Sequence, residues 1–205
     1  MKTVEFNYLE RLKEIDMFFD GSSPVHQTMQ RLTQQLLDAG IPYAVMGGMA
    51  VNAHRVRRTT DDLDVLVTAE GLQKFRQLFL GEAYEQPAPK RTRRFVDRQN
   101  NVIIDFLVTG LYPGRGEPVA FAFPDPTEAS EEINHIRVVT LVQLVQLKLA
   151  ARRYQDFADV VHLIRVHDLA ESFADRLHPS VRSDYIECLE EHRRDEEYKA
   201  REGIG

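Results

Sequence analysis

Residues 102–108, Val-Ile-Ile-Asp-Phe-Leu-Val, form a run that is apolar at every position except Asp105. A run of this length and composition predicts a strand buried in the protein interior. A buried carboxylate costs free energy unless a cation or a hydrogen-bond donor satisfies it. Two partners for Asp105 are open at this point: a metal ion shared with other carboxylates, or a salt bridge to an arginine such as Arg94.

A second acidic feature lies in residues 62–67, Asp-Leu-Asp-Val-Leu-Val, which predict another strand. Successive side chains of a strand point to opposite faces, so Asp62 and Asp64 share one face. Two carboxylates on one face repel each other unless a cation lies between them, and rigidly held carboxylate oxygens suit Mg²⁺. The simpler alternative is a pair of solvated aspartates at the start of a strand.

Gly47-Gly48 follows a short apolar run at residues 43–46 and precedes a helical pattern at 49–54. Glycine allows the backbone to approach a polyphosphate closely, and a helix N-terminus presents free N–H groups and the positive end of its dipole. Many Gly-Gly pairs mark simple turns, so this pair gains weight only from its place before Asp62.

Strands and helices alternate through the middle of the chain, which predicts an α/β (α+β) domain with a small mixed sheet flanked by helices. The patterns predict strands at 43–46, 62–67, 94–96 and 102–108, and helices at 4–19, 24–40, 49–54, 69–79, 140–152, 156–166 and 181–199. We therefore expect an N-terminal helix (1–22), an α/β domain (23–128) and a C-terminal helical region (129–205). Prolines and glycines predict a loop at 112–126.

The chain of 205 residues has a net charge of −6, and its basic residues are clustered. One cluster lies at 55–58 and another at 90–98, which suits a protein that handles anions at one place. The second cluster could guide an RNA acceptor or a triphosphate, or it could protect a solvated edge strand. The single cysteine, Cys188, and the lack of an apolar run of about 20 residues or of a signal peptide lead us to expect a cytoplasmic protein without a membrane segment.

The run Met46-Gly47-Gly48, then Asp62-Leu63-Asp64 after thirteen residues, then Asp105 in a later apolar strand, resembles the nucleotidyltransferase superfamily that includes DNA polymerase beta. The approach Arg58-x-Thr60-x-Asp62-x-Asp64 is similar to a bacterial branch that includes abortive-infection toxins. Lys148 followed by Gln155-Asp156-x-x-Asp159 is similar to that branch's helical motif, although Gln155 stands where an arginine is common. The resemblance spans residues 27–164.

The resemblance implies a nucleotidyltransferase fold and a Mg²⁺-dependent transfer of a nucleoside monophosphate (NMP) from a nucleoside triphosphate (NTP) to an acceptor hydroxyl, with two ions. In that scheme Asp62, Asp64 and Asp105 are the catalytic metal ligands, and the nucleotide is bound by Gly47, Gly48, Arg58, Thr60 and Lys148. The acceptor would be tRNA or another RNA, a protein or a small molecule, and a toxin-like role would bring a cognate partner protein. The alternative is a catalytically inactive module of the same fold that binds a nucleotide or a partner.

Lys148 falls within the apolar stripe of its predicted helix. A lysine there either extends its ammonium to the rim or reaches an anion, and the resemblance favours a phosphate. Asp156 and Asp159 lie at the edge of their own apolar face, so surface or helix-pairing contacts are favoured for both. A cationic small-molecule acceptor would require an acidic pocket.

Overall fold

The structure is a computed structural model that describes residues 8–114 and 121–203, with side chains in the first helix described from residue 12. The helices are α1 (Tyr8–Phe19), α2 (Pro24–Asp38), α3 (Gly47–Ala53), α4 (Ala69–Phe79), α5 (Leu141–Ala151), α6 (Tyr154–His167) and α7 (Arg182–Glu202). The strands are β1 (Tyr43–Val45), β2 (Asp62–Val67), β3 (Tyr84–Glu85), β4 (Arg94–Asp97), β5 (Ile103–Val108), β6 (Ser130–Ile133) and β7 (Ile136–Val139). The start of the predicted helix at 4–19 and part of the predicted loop at 112–126 lie outside the described residues.

The strands form one seven-stranded mixed sheet in the order β3-β4-β5-β2-β1-β7-β6. The central strand β2 is parallel to β5 and antiparallel to β1, while β1 is parallel to β7. Helices accompany this sheet, and the predicted α/β class is confirmed. The bounds of β2 and α4 agree residue for residue with those expected from the alternation and the helical period of the sequence.

The β6–β7 hairpin was not predicted from the sequence. Its exposed residues Glu131 and Glu132 hide the alternation that marks a strand, and its two-residue turn places Asn134 and His135 at positive φ. Because β7 pairs with β1, the sheet extends beyond residue 128. The region from 129 to 205 that was expected to be helical therefore begins with two strands of the same sheet.

One face of the central sheet is closed by α4 and a cluster of aromatic rings. Phe75 of α4 packs against Phe106, Phe95 and Tyr84, with ring centroids 4.6, 5.2 and 5.2 Å away. On the other face, β5 is only partly covered, and Ile103 is 38% exposed. The prediction of a buried strand at 102–108 is therefore wrong for this face, where Asp105 and Leu107 line a cavity.

None of the helices in the described part of the chain combines the length and the apolarity that crossing a bilayer requires.

Candidate active site

Three carboxylates lie on the partly covered face of β2 and β5. The parallel register of these strands pairs Asp64 with Asp105 and Asp62 with Ile103. Paired residues of neighbouring strands point to the same face, as do residues two apart along one strand. Asp62, Asp64 and Asp105 are thus neighbours on one surface although the chain separates them widely.

Asp64 is the carboxylate whose titration is most disturbed. Burial raises the pKa of Asp64 to about 7, and the negative charges of Asp62 and then Asp105 add to this effect. Arg153 and Lys148 act in the opposite direction and lower the pKa. No residue in the described ranges donates a hydrogen bond to the Asp64 carboxylate or forms an ion pair with it. A carboxyl group in this environment is stabilised by a cation brought close to its oxygens.

The Gly47-Gly48 turn lies directly against the acidic residues and the loop before β2. Gly47 has φ +60°, and a Cβ there would collide with Asp64 Oδ2. A Cβ on Gly48 would collide with Arg58 Nη1 and crowd Thr60. Both positions require glycine because the turn must approach its neighbours more closely than a side chain allows.

Asp62, the first residue of β2, is held by a residue of the preceding loop. Thr60 Oγ1 donates a hydrogen bond to Asp62 Oδ1 at 2.7 Å. The contact orients one oxygen of Asp62 and leaves the rest of the carboxylate available on the same face as Asp64. The expected nucleotide role of Thr60 stays a prediction, and its observed contact is with Asp62.

Asp105 forms a salt bridge with Arg94, which is the second of the two partners considered from the sequence. The two residues are directly opposite each other in the antiparallel β4–β5 pair. Arg94 Nε lies 2.7 Å from Asp105 Oδ1, and Nη2 lies 2.5 Å from Oδ2, so both oxygens accept from one guanidinium. Within residues 8–114 and 121–203, no three His, Cys, Asp or Glu side chains converge as a metal site. The role of Asp62, Asp64 and Asp105 as metal ligands stays a prediction, and in this structure Asp105 is paired with Arg94.

Lys148 lies at the centre of a buried ionic network that joins α5 to α6. Its side chain is 8% exposed, and Nζ lies 2.6 Å from Asp159 Oδ2 and 3.4 Å from Asp156 Oδ1. Arg58 Nε reaches Asp159 Oδ1 at 3.1 Å, and Arg153 binds both oxygens of Asp156, at 2.6 and 3.1 Å. Asp156 and Asp159 make the predicted helix-pairing contacts, whereas a surface location is wrong for both because these cations compensate their burial.

Arg153 was not identified from the sequence as a site residue. It immediately precedes α6, where Asp156 accepts from its backbone N–H and from its guanidinium. A sequence signal was available, since an acid at the third position of a helix commonly caps the residue before it. Gln155, which stands where an arginine was expected, donates instead to Asp159 at 3.0 Å.

A cavity of about 510 Å³ opens over the acidic face. Asp64, Asp105 and Asp156 line it together with a larger set of basic side chains, Lys90, Arg91, Arg93, Arg94, Lys148 and Arg153. The 90–98 cluster thus contributes four of its residues to this cavity. The two-residue strand β3 lies beside β4 and pairs only with Val96 and Asp97, so Arg94 and Phe95 border the edge of the sheet.

No protein-family model matches this chain, and no curated protein matches it. An antigenic nucleotidyltransferase-like protein from Paracoccidioides brasiliensis is 16% identical over 68% of this chain and 75% of its own, with a TM-score of 0.45. ANT(2″)-Ia, solved in complex with adenylyl-2″-tobramycin, is 13% identical over 78% of this chain and 98% of its own, with a TM-score of 0.46. A Helicobacter pylori protein provisionally described as a nucleotidyltransferase is 14% identical over 83% of this chain and 79% of its own, with a TM-score of 0.44.

Two of these three structures are described as nucleotidyltransferases or nucleotidyltransferase-like proteins. None of the three is described as an abortive-infection toxin. At these identities and TM-scores the likenesses are weak, so the function has to be inferred from the residues of the site.

Proposed function

We propose that this chain is a Mg²⁺-dependent nucleotidyltransferase that transfers an NMP from an NTP to an acceptor hydroxyl. The observation that carries the proposal is the environment of the Asp64 carboxylate. Its carboxylate is partly buried beside those of Asp62 and Asp105, accepts no hydrogen bond from the described residues, and lines a cavity that basic side chains also line. A site that binds a divalent cation and a polyphosphate together meets both requirements.

Asp62 and Asp64 fit a Mg²⁺ ion, because they supply hard oxygen ligands from one rigid strand and Thr60 orients the first of them. The ion would neutralise charge on the triphosphate. The protein's own residues bind the remaining phosphate oxygens, and the absence of a side chain at Gly47 lets the turn lie directly against Asp64. The acceptor oxygen then bonds to the α-phosphorus, the bond to the β-phosphate oxygen breaks, pyrophosphate leaves and the hydroxyl proton passes to solvent.

The phosphate-binding groups are drawn from the basic residues of the cavity. Lys90, Arg91 and Arg93 are exposed, and no carboxylate in the described ranges pairs with them. Their charges are therefore available for the triphosphate or for an anionic acceptor. Lys148 and Arg58 were expected to contact the nucleotide, but both already bind Asp159. In this proposal the two residues hold the helices beside the cavity in place. Lys148 also faces the phosphates.

An RNA acceptor fits the charge of the cavity better than a cationic small molecule does. Six basic and three acidic side chains line the cavity, and a polycationic acceptor would be repelled where an RNA phosphate would be attracted. We therefore propose an RNA end, tRNA first, as the acceptor. The sequence resemblance adds a toxin-like role with a cognate partner protein to this proposal. Growth arrest on expression of the unaltered protein, and its disappearance in Asp64→Asn, would support that role.

The test is incubation of the protein with Mg²⁺, each α-labelled NTP and total RNA, beside Asp64→Asn. The proposal expects labelled RNA from the unaltered protein and none from Asp64→Asn. Asp61→Asn is the matched control, since Asp61 is an exposed aspartate just before β2 and its loss should leave labelling intact. Transfer that persists in Asp64→Asn, or its absence with every acceptor tried, contradicts the proposal.

A second candidate is a non-catalytic member of the same fold that binds a nucleotide or a protein partner. The Arg94–Asp105 ion pair favours it, because the third carboxylate is already neutralised. This candidate predicts saturable NTP binding with no transfer to RNA, protein or small molecules.

A further inference from the structure

The two oxygens of Asp105 are both occupied by a neighbour that the fold holds in place. Arg94 is the direct cross-strand partner of Asp105, so the β4–β5 register itself brings the guanidinium to the carboxylate. A paired arrangement of this kind uses two parallel hydrogen bonds and is among the stronger contacts of a carboxylate. Arg94 makes no other ion pair with a carboxylate in the described part of the chain.

The surroundings of Asp105 also disfavour a further dication. Lys90, Arg91 and Arg93 precede Arg94 along the chain, and Lys148 and Arg153 line the same cavity. An ion held by Asp62 and Asp64 already offsets the charge of those two aspartates. A second ion would then face an excess of positive charge, with no unpaired carboxylate among the described lining residues other than those of the first ion to hold it.

We propose that the chain binds a single divalent ion, at Asp62 and Asp64, and that the Arg94 guanidinium takes the place of a second ion at Asp105. This inference rests on the proposed function and departs from the two ions that the sequence resemblance implies. Arg94 stays protonated and donates hydrogen bonds, so it neutralises charge on reacting oxygens. Asp105 acts through Arg94 as a positioning residue and is not a metal ligand.

The inference is tested by counting Mn²⁺ ions bound to the metal-free protein, from the electron paramagnetic resonance signal of free Mn²⁺ during a titration without nucleotide. We expect one ion per chain for the unaltered protein and two for Arg94→Ala, which frees Asp105. Arg93→Ala is the matched control, since Arg93 is an arginine that lines the same cavity beside Arg94. It should keep one ion, because loss of a cavity charge alone does not release Asp105.

Two ions in the unaltered protein, or one ion in a folded Arg94→Ala, would overturn the inference. Asp105→Asn provides an independent reading if Arg94→Ala does not fold. We expect it to bind one Mn²⁺ with unchanged affinity, whereas loss of that ion would identify Asp105 as a ligand and refute the inference. Absence of any bound Mn²⁺ contradicts the metal site itself, and the RNA-labelling assay then shows whether the proposed function fails with it.

Discussion

Lys148 Nζ lies 2.6 Å from Asp159 Oδ2, and both side chains are almost completely buried between α5 and α6. The same ammonium approaches Asp156, and Arg58 approaches Asp159 from the loop before β2. The network therefore connects helices α5 and α6 to the loop that carries Thr60 and leads into Asp62 of β2. Breaking this ionic network should therefore affect both the stability of the fold and the geometry of the face that carries Asp62 and Asp64.

Lys148→Met should lower the free energy of unfolding by about 3–5 kcal/mol, because it leaves buried aspartates without their central cation. Urea denaturation followed by circular dichroism measures the change. Lys199→Ala is the control, since Lys199 pairs with Glu196 on an exposed turn of α7, and surface pairs contribute only about 0–1 kcal/mol. Equal effects of the two substitutions would show that the buried network does not stabilise the fold.

Gly47→Ala should reduce transfer activity by about 10²-fold, because a Cβ at this position displaces Asp64 and misplacement of that order has such an effect. Activity is measured by RNA labelling, with folding checked by circular dichroism. Gly110→Ala separates the causes: Gly110 also has positive φ, but a Cβ there meets nothing within 4 Å. If Gly110→Ala lost as much activity, backbone strain rather than collision with Asp64 would be responsible.

The metal-free protein should become less stable as the pH rises from about 4 to about 7. The folded-state pKa of Asp64, about 7, lies above the unfolded value of about 3.9, so the folded state binds the proton more tightly. Stability is then highest below pH 4 for this group and is lost as Asp64 ionises, by at most about 4 kcal/mol. Thermal melts across this range measure it.

Asp64→Asn should remove that loss of stability, and Mg²⁺ should restore stability to the unaltered protein near pH 7. An unaltered pH dependence in Asp64→Asn would assign the effect to other groups.

The affinity for RNA should fall steeply as the salt concentration rises. Lys90→Ala and Arg93→Ala should each reduce the slope of the logarithm of the binding constant against the logarithm of the salt concentration by about 0.7, the value for one phosphate contact with a single strand. Fluorescence anisotropy of a labelled tRNA measures both affinity and slope. Arg137→Ala is the control, because Arg137 is exposed on β7 at the other end of the sheet. An unchanged slope in the cavity variants, or labelling of tobramycin in preference to RNA, would contradict an anionic acceptor.

The local patterns of the sequence were sufficient for elements whose own residues show a clear alternation or helical period. The alternation of residues 62–67 predicted β2 and placed Asp62 and Asp64 on one face, and the helical period predicted α4. They failed for the β6–β7 hairpin, where two exposed glutamates, Glu131 and Glu132, mask the alternation of apolar residues that marks a strand.

The sequence by itself determined which residues could build an acidic, anion-handling site: Gly47-Gly48, Asp62, Asp64, Asp105 and the basic cluster. Only the tertiary structure decided how they combine. The β2–β5 register brings Asp64 beside Asp105, the β4–β5 register gives Asp105 to Arg94, and helix packing buries Asp156 and Asp159 against Lys148. Strand register and helix docking are non-local, because they depend on which surfaces meet, so no window of sequence contains them.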